Sequence, residues 1–516
     1  MKLNYKRTIC VGFAFFLICA FWQAYDSIIP KILTDKFGMQ QGWSGVVMAL
    51  DNVLALFMLP LFGALSDKSK SRFGRRTPYI VIGTIIAAVA FVGLSFIDNA
   101  QLARVGDAAE MNETGVHAVY ADAEIVNATL KTHDGKEYVL SEKYSEEDMI
   151  AVVNDALEGD KDASTAWDSY FVPARQALAA KTTASHRSIL VLFMVVLLVT
   201  LVSMSIFRSP AVALMPDVTI KPLRSKGNAV INLMGSFGGI LVLVLGIVFG
   251  TGKAKNSMMS YTLFFTVIAA IMVLALAIFL LTVKEPKFVQ EMEEESKRYG
   301  IDNGEDDDGS GSRKLSKGEL VSLLLILASV VLWFFGYNAV TSKYSVYAGK
   351  VLNLDYNMTL IIAQAAAIVS YLPIGMLSSK IGRKKAILIG VVILTGTFLG
   401  ASFMRATTPT MLMNVMFALA GIGWATINVN SFPMVVELAK GGNVGKYTGY
   451  YYTASMAAQV LTPILSGFLM DSFGMGILFP YATVFVVLAF FTMLFVKHGD
   501  SKPIRKKGLE ALDVDD

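Results

Sequence analysis

Three ionisable residues lie deep in apolar runs of the chain: Asp26 in the first run, Asp51 beside Asn52 in the second, and Arg208 in the fourth. A charged group surrounded by hydrocarbon is costly, so each is by default a candidate for function. Asp26 and Asp51 each sit about eight residues, roughly 12 Å, from the same end of consecutive runs. Acids placed there can load a proton on one side and release it on the other, which makes them the candidate cation-coupling pair. Around them are side chains suited to a hydroxylated solute: Trp22, Gln23 and Tyr25 in the first run, Tyr337 and Asn338 in the seventh, Gln364 in the eighth, Trp424 and Asn428 in the tenth. Aromatic rings stack on apolar ring faces, while amides and the planar Arg208 fork bind hydroxyls. Plainer roles stand beside these. Lys343 can snorkel to a membrane interface, and Asn428 and Asn430 can hydrogen-bond between helices.

Such side chains need helices to hold them. The chain has 516 residues, 54% hydrophobic and only 17% charged, where soluble domains run at about 25% charged; its mean hydropathy is +0.55. A disordered chain, a fibrous repeat and a soluble enzyme are excluded. Stretches long and apolar enough to cross a bilayer lie at 9–33, 43–65, 78–97, 188–215, 228–250, 259–283, 318–347, 357–379, 385–404, 409–432, 447–470 and 475–496, twelve in all. The two cysteines, Cys10 and Cys19, fall in one run about 13 Å apart, too far to bridge. The four histidines are scattered, so no metal site is expected.

Basic residues cluster in alternate connections, among them Lys68, Lys70, Arg72, Arg75 and Arg76, then Lys380, Arg383, Lys384 and Lys385, and finally Lys502 to Lys507. Under the positive-inside rule that side is cytoplasmic, with both termini. The expected layout is a first six-helix half (1–283), an acidic, flexible cytoplasmic linker with no apolar face (284–317), a second six-helix half (318–497) and a cytoplasmic tail (498–516). Residues 98–187 form an acidic insertion on the opposite, extracytoplasmic side. Its segment 144–158 has a helical apolar period, so a small, partly helical cap is expected, carrying the sequons Asn112-Glu113-Thr114 and Asn127-Ala128-Thr129.

One phrase occurs twice. After the second run comes Gly63-Ala64-Leu65-Ser66-Asp67-Lys68, then Arg72-Phe73-Gly74-Arg75-Arg76; after the eighth comes Gly375-Met376-Leu377-Ser378-Ser379-Lys380-Ile381-Gly382-Arg383. Pro216-Asp217 is echoed by Pro433 and Glu437. Internal repetition of this kind is the architecture of a transporter whose halves rock about a midplane site. Gly63, Asp67, Arg72, Gly74, Arg75, Arg76 and Asp217, with Gly375, Gly382, Arg383 and Glu437, are the candidate cytoplasmic gate, in which acids accept charge-assisted bonds from the arginines and latch that face.

These repeated loops resemble the signature loop of the major facilitator superfamily. The longer form SDKSKSRFGRRTPYI at 66–80, with Arg208-Ser209-Pro210 and Pro216-Asp217, is similar to the sucrose-transporter branch related to the glycoside–pentoside–hexuronide:cation symporters. The resemblance implies an all-α membrane protein with twelve transmembrane helices in two pseudo-symmetric halves. It further implies a central cavity lined by helices 1, 4, 7 and 10. That family's sodium-linked members carry paired aspartates on helix 2, at positions matching Ala55 and Leu59 here, which favours a proton. Ser379 replaces Asp67 in the second loop, so the two latches are expected to be unequal.

The expected function is secondary active transport: proton-coupled uptake of a sugar or glycoside by alternating access, in the inner or plasma membrane. A uniporter or a carrier of another small polar solute is the alternative, and a transporter-derived sensor the more remote one. The expected partners are the solute, the proton and lipid. No Walker loop, hydrolase elbow or dinucleotide fingerprint is present, so neither an enzyme nor a cofactor is expected. No nucleic-acid surface is expected, and the chain is expected to be a monomer.

Overall fold

Lipid offers no partner to a backbone N–H or C=O, so apolar runs of this length must close their hydrogen bonds internally as helices. The computed structural model describes residues 3–220, 223–299, 315–439 and 444–499, and it does so with helices throughout the apolar runs. In the first half these are α1 (Tyr5–Lys31), α2 (Gln41–Asp67), α3 (Thr77–Val105), α10 (Arg187–Asp217), α11 (Arg224–Phe249) and α12 (Thr262–Thr282). In the second they are α14 (Lys317–Val351), α15 (Tyr356–Ile381), α16 (Arg383–Ser402), α17 (Thr410–Val436), α18 (Val444–Phe473) and α19 (Leu478–Leu494). Among the described residues eleven helices are long and apolar enough to cross a membrane, and the chain is a multi-pass membrane protein. The remaining expected span, α15, is a continuous helix of 26 residues, Tyr356–Ile381.

Two large apolar cores result. One packs Phe21, Phe91, Phe207 and Phe265 between α1, α3, α10 and α12; the other packs Trp333, Tyr344, Leu394 and Phe479 between α14, α16 and α19. The halves meet through α2 against α18, α11 against α15 and α1 against α14.

Between α3 and α10 the chain builds a cap. Helices α4 (Glu113–Tyr120), α5 (Ala123–Val126), α6 (Leu140–Lys143), α7 (Glu146–Glu158), α8 (Lys161–Ala166) and α9 (Val172–Ser185) accompany a hairpin of β1 (Thr129–Lys131) and β2 (Glu137–Val139). Leu130 faces Tyr138 across the hairpin. A third apolar core of Val116, Met149, Val153, Trp167 and Phe171 lies inside the cap. The Asn112 side chain caps α4 by accepting from Gly115 N. We refer to this side of the bundle as the cap end and to the opposite side, where the basic loops lie, as the tail end.

Three boundaries differ from the sequence expectation. The first helix continues through a π turn, Ile32–Lys36, and α3 continues past 97 to Val105. Both extensions carry charge, and both are buried because Lys36 Nζ meets Asp98 Oδ2 at 2.6 Å with each side chain fully enclosed. The linker opens as helix α13 (Glu285–Tyr299), not as flexible chain, because one face has something to cover: Met292 packs with Ile220 and Leu223. The acidic run Glu305–Asp308 and the basic tail Lys502–Lys507 lie outside the described residues.

Candidate functional site

The first run brings three of its candidate residues, Trp22, Tyr25 and Asp26, to the neighbourhood of Arg208. Trp22 stands edge-on to Tyr25 at 5.3 Å between ring centroids, and Arg208 from α10 lies over the Trp22 ring at 5.6 Å. Asp26 is within electrostatic range of both Asp51 and Arg208, so charged residues from α1, α2 and α10 lie in one neighbourhood. Asp26 is exposed there and Asp51 and Arg208 are half-buried. Asp51 accepts a hydrogen bond from Asn52 Nδ2 at 2.7 Å.

The two halves join at this depth. Gln364 Nε2 on α15 donates to Gln23 Oε1 on α1 at 2.7 Å, and Gln23 Nε2 donates to Ser27 Oγ at 3.1 Å. Gly239 on α11 leaves room for this amide pair, since a Cβ there would stand 3.3 Å from Gln364 Oε1. Across the second half, Tyr337 and Trp424 lie parallel with centroids 3.7 Å apart. Several polar atoms in these residues are buried without a partner: Trp22 Nε1, Tyr25 OH and Asn338 Nδ2. Buried polar groups are rarely left unpaired, and a polar solute is one thing that can pair them. Asn428 is half-buried on α17.

Two plainer expectations need correction. Lys343 does not snorkel; it is fully buried and its Nζ donates to Gln41 O of the other half at 2.8 Å. Asn430 does not bridge helices: its Nδ2 bonds Thr426 O one turn back on α17, which satisfies it locally.

At the tail end, Arg76 is the centre of the first repeated loop. It meets Asp67 Oδ1 at 2.5 Å and Asp217 Oδ2 at 2.8 Å, and donates to Ser66 Oγ at 2.5 Å and Gly63 O at 3.4 Å. Bonding on several sides raises its pKa against the opposing effect of burial, with Asp217 the strongest partner. Arg75 reaches Asp217 at 3.8 Å, whereas Arg72 lies over Phe73 at 4.7 Å and is exposed, away from the acids. In the second loop Arg383 meets Glu437 at 2.5 Å, and Gly375 is buried on α15. Gly74 (φ 112°) and Gly382 (φ 93°) occupy equivalent turns, a left-handed conformation that glycine adopts without strain. These ion pairs tie neighbouring elements within one half.

Sequence reasoning missed Glu285. Its carboxylate accepts from the backbone N–H groups of Arg75, Arg76 and Thr77, at 2.6, 2.9 and 2.8 Å, and from Thr77 Oγ1 at 2.7 Å. It therefore caps α3 from the start of α13, as a carboxylate favours at a helix N-terminus.

The contacts between the halves that sequence reasoning also missed lie at the cap end. Asp471 on α18 accepts from Gln41 N at 2.8 Å and Gly42 N at 2.7 Å, capping α2 from the opposite half. Lys350 meets Asp35 Oδ1 at 2.7 Å. Thr251 Oγ1 bonds Tyr356 OH at 3.0 Å, and Asn357 Nδ2 lies 3.3 Å from Thr251 Oγ1. A Cβ on Gly45 would stand 2.0 Å from Pro463 O, and one on Gly467 2.3 Å from Gln41 O, so α2 and α18 touch backbone to backbone. The hydrogen bonds and ion pair found between described residues of the two halves thus lie at the cap end or at the depth of Gln23.

Two bundles of apolar helices, repeated in sequence and meeting around a polar core, define a membrane carrier, and the comparisons with known proteins agree. The profile of the Major Facilitator Superfamily matches residues 176–457 and 364–513, and that of the MFS/sugar transport proteins matches residues 10–104. The chain belongs to the major facilitator superfamily, whose fold is that of membrane transporters and not of enzymes. Curated relatives include a candidate glycoside/cation symporter, YagG of Escherichia coli (strain K12), 34% identical over 68 residues, which are 13% of this chain and 15% of YagG. Another is the sucrose transport protein SUC4 of Arabidopsis thaliana, 29% identical over 69 residues, 13% of each chain. The matched stretches are thus a small part of either relative. Among solved structures, the inward open conformation of the xylose transporter XylE from E. coli superposes with a TM-score of 0.56 at 15% identity, covering 98% of both chains. A bacterial homologue of the iron transporter ferroportin in its inward-facing state gives 0.57 at 11% identity, covering 96% of this chain and 98% of the other. Likeness at such identities concerns the fold alone.

Proposed function

We propose that this protein is a secondary active transporter that takes up a sugar or glycoside together with a proton by alternating access. It resides in the cell membrane with both termini cytoplasmic, so that the cap is extracytoplasmic and the conformation described here is closed outside. One observation carries the proposal. Charged and aromatic groups from α1, α2 and α10 gather near an exposed Asp26, while the bonds between the halves close the cap end. A site sealed at one end and accessible at its depth is one stage of an alternating-access cycle.

In this scheme Trp22 and the Tyr337–Trp424 stack supply ring faces, while Arg208, Gln23, Gln364, Asn338 and Asn428 supply hydroxyl partners. Asp26 and Asp51 carry the proton. The YagG and SUC4 segments favour a sugar or glycoside within the family, and the separation of basic and acidic loops favours the stated orientation. The test is reconstitution in liposomes after a sugar and glycoside screen for thermal stabilisation of the purified protein. The proposal expects a stabilising ligand to show counterflow, and to accumulate when the outside is acidic. Binding without counterflow refutes transport; accumulation only with sodium refutes the proton.

A further inference from the structure

The cap is joined to the first half by rigid links and to the second by contacts that can part. Helices α3 and α10 run directly into it. Gln101 on α3 donates to Thr183 Oγ1 of α9 and to Lys36 O, each at 2.9 Å, and Thr183 Oγ1 donates to Phe37 O at 3.0 Å, all fully or nearly fully buried. The cap must therefore move with the first half.

Its far side touches the second half in two places. At the hairpin turn, Met475 N donates to His133 O at 2.6 Å. The backbones meet directly through Gly135 (φ 82°) and Gly474 (φ 86°): a Cβ on Gly474 would stand 2.5 Å from Asp134 C, and one on Gly135 3.1 Å from Phe473 C. The turn is held to the cap by the His133 ring, whose Nδ1 lies 2.9 Å from Ser169 Oγ. The second place is beside Lys350 of α14, which pairs with Asp35 of the first helix's terminal turn. Gln176 Nε2 of the cap donates to Asp35 Oδ1 at 2.9 Å. Asp168 and Arg175 of the cap line, with Lys31, Asp35, Ser345 and Lys350, a cavity of about 20 Å³, room for about one water.

We infer that the insertion is an extracytoplasmic lid, clasping the second half at Gly474–Met475 and beside Lys350, and that it must undock each time the bundle opens outward. The inference rests on the alternating-access proposal, because only a chain whose halves separate at the cap end has to break these contacts. The lid's chemistry also sets a pH dependence. Asp168 is pushed up to about 8, chiefly by burial, with Asp35 adding and Arg175 and Lys350 opposing; Lys31 and Lys253 also line its cavity. A hydrated aspartate titrates near about 3.9, so the docked lid binds a proton that the undocked lid releases. Docking is then strongest in acid and weakens as the pH rises from about 4 through about 8.

The test uses the full chain with Cys10 and Cys19 replaced. Asp134→Cys with Gly476→Cys, bridged by a short reducible bifunctional thiol reagent, should lose at least tenfold in counterflow and recover on reduction, while each single variant stays near the parent. A bridged protein that transports at the parent rate overturns the inference. A second arm needs no transport. Ser345→Cys, buried beside the cavity, should be labelled from outside several-fold faster when combined with Gly135→Val, and faster at pH 8 than at pH 5, with Asp168→Asn flattening that dependence. A labelling rate indifferent to Gly135→Val overturns the lid. If the parent protein moves no solute, the transport proposal fails and the labelling arm alone decides the lid.

Discussion

Asp471→Ala perturbs one state of the protein and spares the other. The Asp471 carboxylate accepts two backbone bonds, at 2.8 and 2.7 Å, from the first residues of α2. Donor and acceptor belong to different halves, so these bonds exist only while the cap end is closed. Loss of an N-terminal cap costs about 1 kcal/mol, and loss of a negative charge at a helix N-terminus about 0.3–1 kcal/mol more. Lys343, which also feels the Asp471 charge, would keep only Gln41 O as a partner. The closed state should therefore lose about 1.3–2 kcal/mol, a shift of roughly 8- to 30-fold toward opening at the cap end at about 1.4 kcal/mol per tenfold. Asp471→Asn keeps one acceptor oxygen and should show a smaller shift. The assay is outside labelling of a cysteine at Ser345, which the closed bundle buries, with thermal unfolding as the control for integrity. A folded Asp471→Ala protein labelled within twofold of the parent would refute the assignment of Asp471 as a lock between halves.

Gly45→Ala should act in the same direction by a different route, because its new Cβ would meet Pro463 O at 2.0 Å; faster outside labelling is expected, and unchanged labelling argues against close α2–α18 packing. Arg208→Lys keeps the charge but loses the planar fork and weakens the contact with Trp22, a class of interaction worth about 0.5–2 kcal/mol. Solute affinity should fall about 3- to 30-fold by binding titration, and parent-like affinity removes Arg208 from the site. Asp26→Asn or Asp51→Asn should retain exchange but abolish accumulation driven by a pH gradient; accumulation in both variants would exclude both residues from coupling. Asp67→Asn should slow transport less than Asp217→Asn, since Asp67 is 56% exposed against 19% for Asp217 and exposed pairs contribute about 1 kcal/mol or less. A larger defect from Asp67→Asn reverses that order.

The helices were legible because lipid removes alternatives: a run of about twenty apolar residues has one stable fate. The polar centre was legible by the same logic, since Asp26, Asp51 and Arg208 stand out against hydrocarbon. The cap-end lock was not, and the reason is physical. Ending a span where its apolar run gives way to charge stops the first run at 33, before Asp35 and Lys36. It stops the third at 97, before Asp98, the seventh at 347, before Lys350, and the eleventh at 470, before Asp471. Each of those residues continues a helix or its terminal turn and finds a partner on another element. Hydropathy averages along one helix, whereas the cost of burying a charge is set by what lies opposite it. A charge at the edge of an apolar run is therefore ambiguous until its partner is known: it marks the membrane surface when solvated and extends the buried helix when paired. The loops show the converse. Gly74 and Gly382 announced the repeat because their turns need a left-handed backbone, yet the acid that caps the first loop, Glu285, comes from a segment whose composition suggested no structure at all. Its three backbone bonds were invisible in sequence because their donors belong to Arg75, Arg76 and Thr77 as main chain, and main-chain donors carry no residue signature.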